Sequence, residues 1–167
     1  MAAKEELFTL AQVAATLIGF SGLIFVFRAR DVTGLSVRDL SGLAMIAGAG
    51  VLVLTFALVP LPLAYVGLSD TGFWRLCSLL FGGALLATSV VFTLLNRRLA
   101  RSGHAERSPG LNRVSLLSMV TLGAALTASA FEVIPPGPAL YLAALVVYLL
   151  LCLVYVAFMF VFARRPQ

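Results

Sequence analysis

Five long apolar stretches dominate the pattern of hydrophobic and polar positions along this chain. Each is a continuous apolar run rather than an alternation of apolar and polar residues, which favours helices in lipid over barrel strands. A helix needs about 20 such residues to cross a hydrocarbon core of about 30 Å. The predicted spans are Leu7–Phe27, Ser41–Val66, Phe73–Leu95, Val114–Ile134 and Ala139–Phe162. The pattern therefore predicts an all-α, polytopic membrane bundle of five transmembrane helices, forming a single transmembrane domain over residues 1–167.

The polar segments that connect these spans are short. The two longest, residues 28–40 and 96–113, are too short to form a folded extramembrane domain. Pro60 and Pro62 are expected to kink or end the second helix. The capping-box pattern Ser36-Val37-Arg38-Asp39 predicts that this helix begins before its apolar run.

Lysine and arginine are distributed unevenly between the two ends of the predicted spans. Ten of the 12 basic residues lie in segments 28–40 and 96–113 and in the tail after Phe162. Only Lys4 and Arg75 fall on the other side. Because basic loops stay in the cytoplasm, the N-terminus is predicted outside and the C-terminus inside, with 28–40 and 96–113 as inner loops.

The composition narrows the class of protein. The chain is 61% hydrophobic and 11% charged, whereas soluble domains have about 45–50% apolar and about 25% charged residues. Too little polar surface remains to cover so much apolar area in water, which excludes a soluble enzyme, a soluble binding module and a disordered tail. The first span is also too long for a signal peptide, and Arg28 and Arg30 follow it instead of a cleavage site.

Small and polar residues line one face of each of the first four spans. Such faces are typical of helix packing in membranes, where hydroxyl groups bond within or between helices. They are also compatible with the lining of a hydrated path. The candidates for either role are Gln12, Thr16, Ser89, Thr121, Ser129 and Glu132.

Glu132 is the one acidic residue that the pattern places within a span. A carboxylate at this depth calls for a partner, and Arg75, on the same side, is the candidate for an ion pair. The alternative is a role in handling ions or protons. If the protein forms a pore, the acidic residues on this side are expected to attract cations.

The fifth span carries tyrosines at seven-residue intervals, at Tyr141, Tyr148 and Tyr155. This spacing keeps the rings on one face of a slightly supercoiled helix. It predicts an aromatic seam for packing or self-association. A slot for a flat hydrophobic ligand is the alternative.

Residues with catalytic or ligand-binding chemistry are sparse. Cys77 and Cys152 lie at different predicted depths, and His104 has no second metal ligand nearby. We therefore expect no metal, no cofactor and no enzymatic activity. The arginines of the second inner loop, Arg97, Arg98 and Arg101, are expected to attract anionic lipid headgroups rather than nucleic acid.

Two segments resemble a known group of proteins. Gln12–Arg30, which reads QVAATLIGFSGLIFVFRAR, and the segment Trp74-Arg75-Leu76-Cys77-Ser78 are similar to small bacterial inner-membrane proteins. Those chains begin with an apolar, glycine-rich helix that arginines end, and carry a Trp-Arg pair at the third helix. The resemblance implies a multi-pass location in the bacterial inner membrane and no particular activity.

Three functions remain open on the sequence. The first is an oligomeric channel or small permease for ions or small solutes. The second is an accessory or assembly subunit of a larger membrane complex. The third is a protein that binds an apolar ligand or lipid within the bundle. In each case we expect the chain to lie in the lipid bilayer. We also expect it to bind either further copies of itself or another membrane protein.

Overall fold

The computed structural model describes residues 3–29, 37–101, 109–133 and 135–162. Six helices are present there, and no strand occurs among the described residues, so the all-helical prediction is confirmed. The helices are α1 (Lys4–Ala29), α2 (Val37–Leu58), α3 (Pro60–Leu63), α4 (Asp70–Arg101), α5 (Pro109–Ala130) and α6 (Pro138–Phe162). A short 3-10 turn, Ala64–Val66, follows α3.

Four of these helical regions are long and apolar enough to cross a membrane. They are Lys4–Leu23, Ile46–Val66, Asp70–Arg98 and Arg113–Ala130. In α6, the apolar stretch within the described side chains is Pro138–Val154. The chain thus has the helices of a multi-pass membrane protein, while the fifth span and the orientation stay predictions.

Proline residues set several helix boundaries. α2 ends at Leu58, and α3 begins at Pro60 with Pro62 two residues later, so the predicted break is confirmed. Pro109 and Pro138 are the first residues of α5 and α6. Proline suits a first helical position because its missing N–H would have no partner there. α2 begins directly after Ser36, which lies outside the described residues.

The chain divides into two compact units, and α1 and α2 belong to the same one, Ala2–Leu58 with Leu145–Gln167. α1 and α2 pack against each other. The buried residues of α1 are Ala3, Leu7, Ala11, Ala14, Leu17 and Ser21, and those of α2 include Ile46, Gly50, Val53 and Ala57. Their spacing of three and four residues places each set on one face of its helix.

α4 and α5 form the helix pair of the other unit, Val59–Ala144. They run antiparallel, and their backbones come into close contact at two glycines. A Cβ atom on Gly82 would lie 2.9 Å from the backbone oxygen of Gly123, and one on Gly123 would lie 3.1 Å from the oxygen of Gly82. The missing side chains therefore allow backbone to meet backbone, as is typical of small-residue contacts in membranes.

An aromatic cluster lies in the same unit, where the first residues of α6 meet α4. The ring centroid of Trp74 is 5.8 Å from that of Tyr141 and 5.0 Å from that of Phe73. Tyr141 also meets Phe81 edge-on, with centroids 5.6 Å apart. All four side chains are buried, so they pack mainly against protein rather than lying at an exposed membrane boundary.

Candidate functional site

Polar side chains of two helices gather at one end of the α4–α5 pair. Arg75 and Ser78 are one turn apart on α4. Ser129 lies in the last turn of α5, and Glu132 follows two residues after the helix ends. Arg75 Nη2 forms an ion pair with Glu132 Oε1. The side chain of Arg75 is 34% exposed and that of Glu132 is 67% exposed, so solvent or lipid headgroups reach the pair and weaken it.

Glu132 lies beyond the helix to which the sequence pattern assigned it. The predicted fourth span runs to Ile134, but α5 ends at Ala130, and this boundary is a correction. The N–H of Glu132 donates to the oxygen of Ser129 at 3.2 Å, and that of Val133 donates to the oxygen of Ala128 at 3.1 Å. These two bonds make a Schellman turn, which ends a helix by placing one residue in the left-handed conformation.

That left-handed residue is Glu132 itself, with φ of 64°. Glycine usually holds this position because a side chain is strained there, at a cost of about 1 kcal/mol. The carboxylate also sits at the negative end of the α5 dipole. Two unfavourable effects thus meet at one residue, and the positive charge of Arg75 offsets the second.

Two serines next to this ion pair are buried without hydrogen-bond partners. Ser78 and Ser129 are both 0% exposed, and neither hydroxyl has a partner among the described residues. The Nε of Arg75 is likewise buried and unpaired. Buried polar groups normally form hydrogen bonds. Three buried polar groups without hydrogen bonds at one end of the α4–α5 pair are therefore an exception, which makes this region a candidate site.

The other candidates on α4 and α5 bond to their own helices. Ser89 is buried and donates to the oxygen of Leu86 at 2.7 Å. Thr121 is exposed and donates to the oxygen of Leu117. The buried face of α5 instead carries Met119, Gly123 and Leu126. Most of the predicted polar face of α5 therefore lies beside the face that packs against α4, not on it.

Gln12 and Thr16 lie in the other unit, and both are exposed. They share one face of α1 with Thr9 and Gly19, opposite the buried face that carries Ala11 and Ala14. Thr16 donates to the oxygen of Gln12 at 2.9 Å, so its hydroxyl is bonded within the helix. The amide of Gln12 has no hydrogen bond to any described residue.

The small and polar positions of α2 face outward as well. Gly48 and Thr55 are exposed, whereas the buried Gly50 lies on the opposite face. A Cβ atom on Gly48, Gly19 or Gly22 would meet nothing within 4 Å. We call the outward residues of α1, Thr9, Gln12, Thr16 and Gly19, the outer polar face. Gly48 and Thr55 of α2 face away from α1, on the other side of the pair.

Apart from His104, the remaining residues predicted from the sequence lie on α4 and α6. Tyr141 and Tyr148 are buried, and the side chain of Tyr155 lies outside the described residues. Arg97, Arg98 and Arg101 are exposed at the far end of α4. Cys77 and Cys152 are buried free thiols. His104 lies outside the described part of the chain, in which no group of three potential metal ligands occurs.

Two features of this helix pair were not predicted from the sequence. The contact of Gly82 with Gly123 was missed because the packing face of α5 is mostly large and apolar, so it carries no polar stripe. The left-handed conformation of Glu132 was missed because glycine is the usual residue there. The two prolines that follow it were the available signal, since they force the helix to end nearby.

No family model, curated protein or solved structure matches this chain. The resemblance of Gln12–Arg30 and Trp74–Ser78 to small inner-membrane proteins stays an expectation.

Proposed function

We propose that copies of this chain assemble in the membrane into a channel or small permease for ions or small solutes. The outer polar face of α1 is the surface through which the copies meet. One observation carries the proposal: the amide of Gln12 lies exposed on the face of α1 opposite its buried face.

The acyl chains of lipids offer no hydrogen-bond donor or acceptor to such a polar face. Each unsatisfied polar group in the hydrocarbon region costs several kcal/mol. Thr9 and Thr16 reduce this cost by donating to the oxygens of Glu5 and Gln12, both at 2.9 Å. The side-chain amide of Gln12 forms no such hydrogen bond within the helix. Contact with a polar group of a second helix, or with water in a path, would therefore stabilise it.

The α4–α5 pair supports a path between copies rather than within that pair. Gly82 and Gly123 approach so closely that even a Cβ atom would collide with the opposite backbone. The large side chains of Phe81, Leu85 and Leu126 are also fully buried in this unit. A passage for solutes therefore fits best where several copies bring their outer polar faces together.

A second candidate function is that of an accessory subunit docked on a larger membrane protein. The specific observation in its favour is the open space at Gly19, Gly22 and Gly48. Glycine and other small residues allow a foreign helix to approach closely. In that case the outer polar face is covered by a partner's helix and lines no path.

The experiment compares the full-length protein with two variants in α1. Gln12→Leu removes the outward amide, and Val13→Leu changes a neighbouring exposed apolar residue as the matched control. Mass in nanodiscs gives the number of copies, and potassium flux in proteoliposomes gives the activity. We expect wild type and Val13→Leu to form the same oligomer and conduct, and Gln12→Leu to lose at least about tenfold in flux.

Each outcome separates the candidates. Monomeric wild-type protein without flux would refute the channel. A stable oligomer without flux would refute conduction. If Gln12→Leu dissociates that oligomer, the proposed interface between copies would still be supported. Recovery of one stoichiometric membrane partner, lost in Gln12→Leu, would favour the accessory subunit.

A further inference from the structure

A cleft opens between α4 and α5 at the end of the pair opposite the Arg75–Glu132 contact. It has a volume of about 260 Å³. Asn96 and Arg97 of α4 and Arg113 of α5 line its polar part, and Phe92, Ala100 and Leu116 line its apolar part. The cleft thus joins two guanidinium groups and an amide to an apolar wall.

The described charges of this unit lie at opposite ends of the helix pair. Arg97, Arg98, Arg101 and Arg113 lie at the end of the helix pair that holds the cleft. The acidic residues described in the same unit, Asp70 and Glu132, lie at the other end. α4 has 32 residues and so is about 48 Å long. No described carboxylate of this unit therefore lies close enough to neutralise the arginines of the cleft.

We propose that this cleft binds the phosphate group of an anionic phospholipid. Guanidinium groups bind phosphate oxygens through two parallel hydrogen bonds, and basic pockets between transmembrane helices are known to receive lipid headgroups. Arg97 and Arg113 hold the phosphate from two different helices, and Asn96 donates its side-chain amide.

The apolar wall selects a lipid over a free anion. Phe92 is buried to 8% exposure and lies one turn from Asn96 toward the apolar part of α4. An acyl chain that continues along Phe92 and Leu116 gains van der Waals contact with them, which inorganic phosphate cannot do. The bound lipid also links α4 to α5, in addition to the contact between Gly82 and Gly123.

The test uses the full-length protein in mixed micelles that contain phosphatidylglycerol or phosphatidylcholine. Native mass spectrometry measures how much of each lipid the protein retains. The cleft variant is Arg97→Gln with Arg113→Gln. The matched control is Arg98→Gln with Arg101→Gln, which removes the same charge from the same end and leaves the cleft lining intact.

We expect wild type and the control to retain phosphatidylglycerol in preference to phosphatidylcholine. The cleft variant should lose at least about tenfold of that preference, because two charge-assisted hydrogen-bonding groups are removed. Leu116→Trp, which fills the cleft and keeps both arginines, should lose it too. This variant decides the question if the double arginine variant fails to fold.

Three results would overturn the proposal. An equal loss in the cleft variant and the control would mean diffuse attraction between charges. Unchanged retention in both cleft-directed variants would mean that the lipid binds elsewhere. Displacement of phosphatidylglycerol by an equal concentration of inorganic phosphate would mean a site for a free anion. None of these results depends on whether the protein conducts, so the lipid site and the channel succeed or fail separately.

Discussion

The α1–α2 pair and the α4–α5 pair differ in where some of their polar side chains lie. In α4 the small and polar residues Ser78, Gly82 and Ser89 are buried. In α1 the comparable residues Gln12 and Thr16 are exposed. Both pairs bury small residues, such as Gly82 in α4 and Gly50 in α2, but the amide of Gln12 and the hydroxyl of Thr16 lie on an exposed face of α1.

The difference reflects how the surrounding solvent, water or lipid, determines which face of a helix is covered. In water, burial sorts apolar from polar residues, because apolar surface is driven away from the solvent. In a bilayer both sides of a helix meet apolar surroundings, so close packing and hydrogen bonding decide which face is covered. The proposed contact between copies therefore depends on the exposed face of α1 that carries Gln12.

The largest expected effect concerns the glycine contacts of the two pairs. Gly82→Ala would place a Cβ atom 2.8 Å from Thr127 Oγ1 and 2.9 Å from the oxygen of Gly123. Since backbone cannot yield easily, we expect a loss of about 1–3 kcal/mol in the free energy of unfolding. Gly50→Ala instead meets the side chain of Ile18, at 2.7 Å, which can rotate, so its cost should stay below about 1 kcal/mol.

Both changes have a matched control one or two residues away. A Cβ atom on Gly83 or Gly48 would meet nothing within 4 Å, so alanine there should be neutral or gain up to about 1 kcal/mol. Thermal unfolding is read from the reaction of a fluorogenic maleimide with the buried thiol of Cys77, in a Cys152→Ala background. An equal cost for Gly50→Ala and Gly82→Ala would contradict the proposed difference between the pairs.

The next effect, of about 1 kcal/mol, concerns acidic residues at helix ends. Glu132→Gln removes the charge that pairs with Arg75 but keeps a strained side chain at φ of 64°. Glu132→Gly removes the same charge and relieves the strain. We expect the glycine variant to be the more stable of the two by about 1 kcal/mol in the same unfolding assay.

Glu5 provides the comparison in the other pair. It lies in the first turn of α1, where the helix dipole favours a negative charge without any partner. Glu5→Gln should therefore cost at most about 1 kcal/mol, and Glu5→Gly should be less stable than Glu5→Gln. Equal stabilities for Glu132→Gln and Glu132→Gly would refute the strain at Glu132.

The smallest effect concerns buried serine hydroxyls. Ser21 of α1 donates to the oxygen of Ile18 at 2.7 Å, whereas Ser78 and Ser129 have no partner among the described residues. Ser21→Ala should lose about 0.5–1 kcal/mol of unfolding free energy, because a hydrogen bond disappears. Ser78→Ala and Ser129→Ala should be neutral or slightly stabilising. A loss at Ser78 equal to that at Ser21 would reveal a partner for its hydroxyl, such as a bound water molecule.

Several features were predictable because they depend on local chemistry. The apolar runs predicted helices, and Pro60 and Pro62 predicted the break after α2, since proline cannot continue the hydrogen-bond ladder. The contact of Arg75 with Glu132 lies where opposite charges on the same side of two neighbouring spans were expected to meet. Other features depend on packing and were not predictable, such as the contact of Gly82 with Gly123.

The sequence by itself determined that this chain forms apolar helices with an arginine-rich end, because length, hydropathy and proline positions act within each helix. Only the tertiary structure decided which face of each helix is covered. It directed Gln12 outward, brought Gly82 against Gly123, and held Glu132 in a left-handed turn beside Arg75. The physical reason is that lipid accepts either face of an apolar helix, so the fit between neighbouring helices makes the choice.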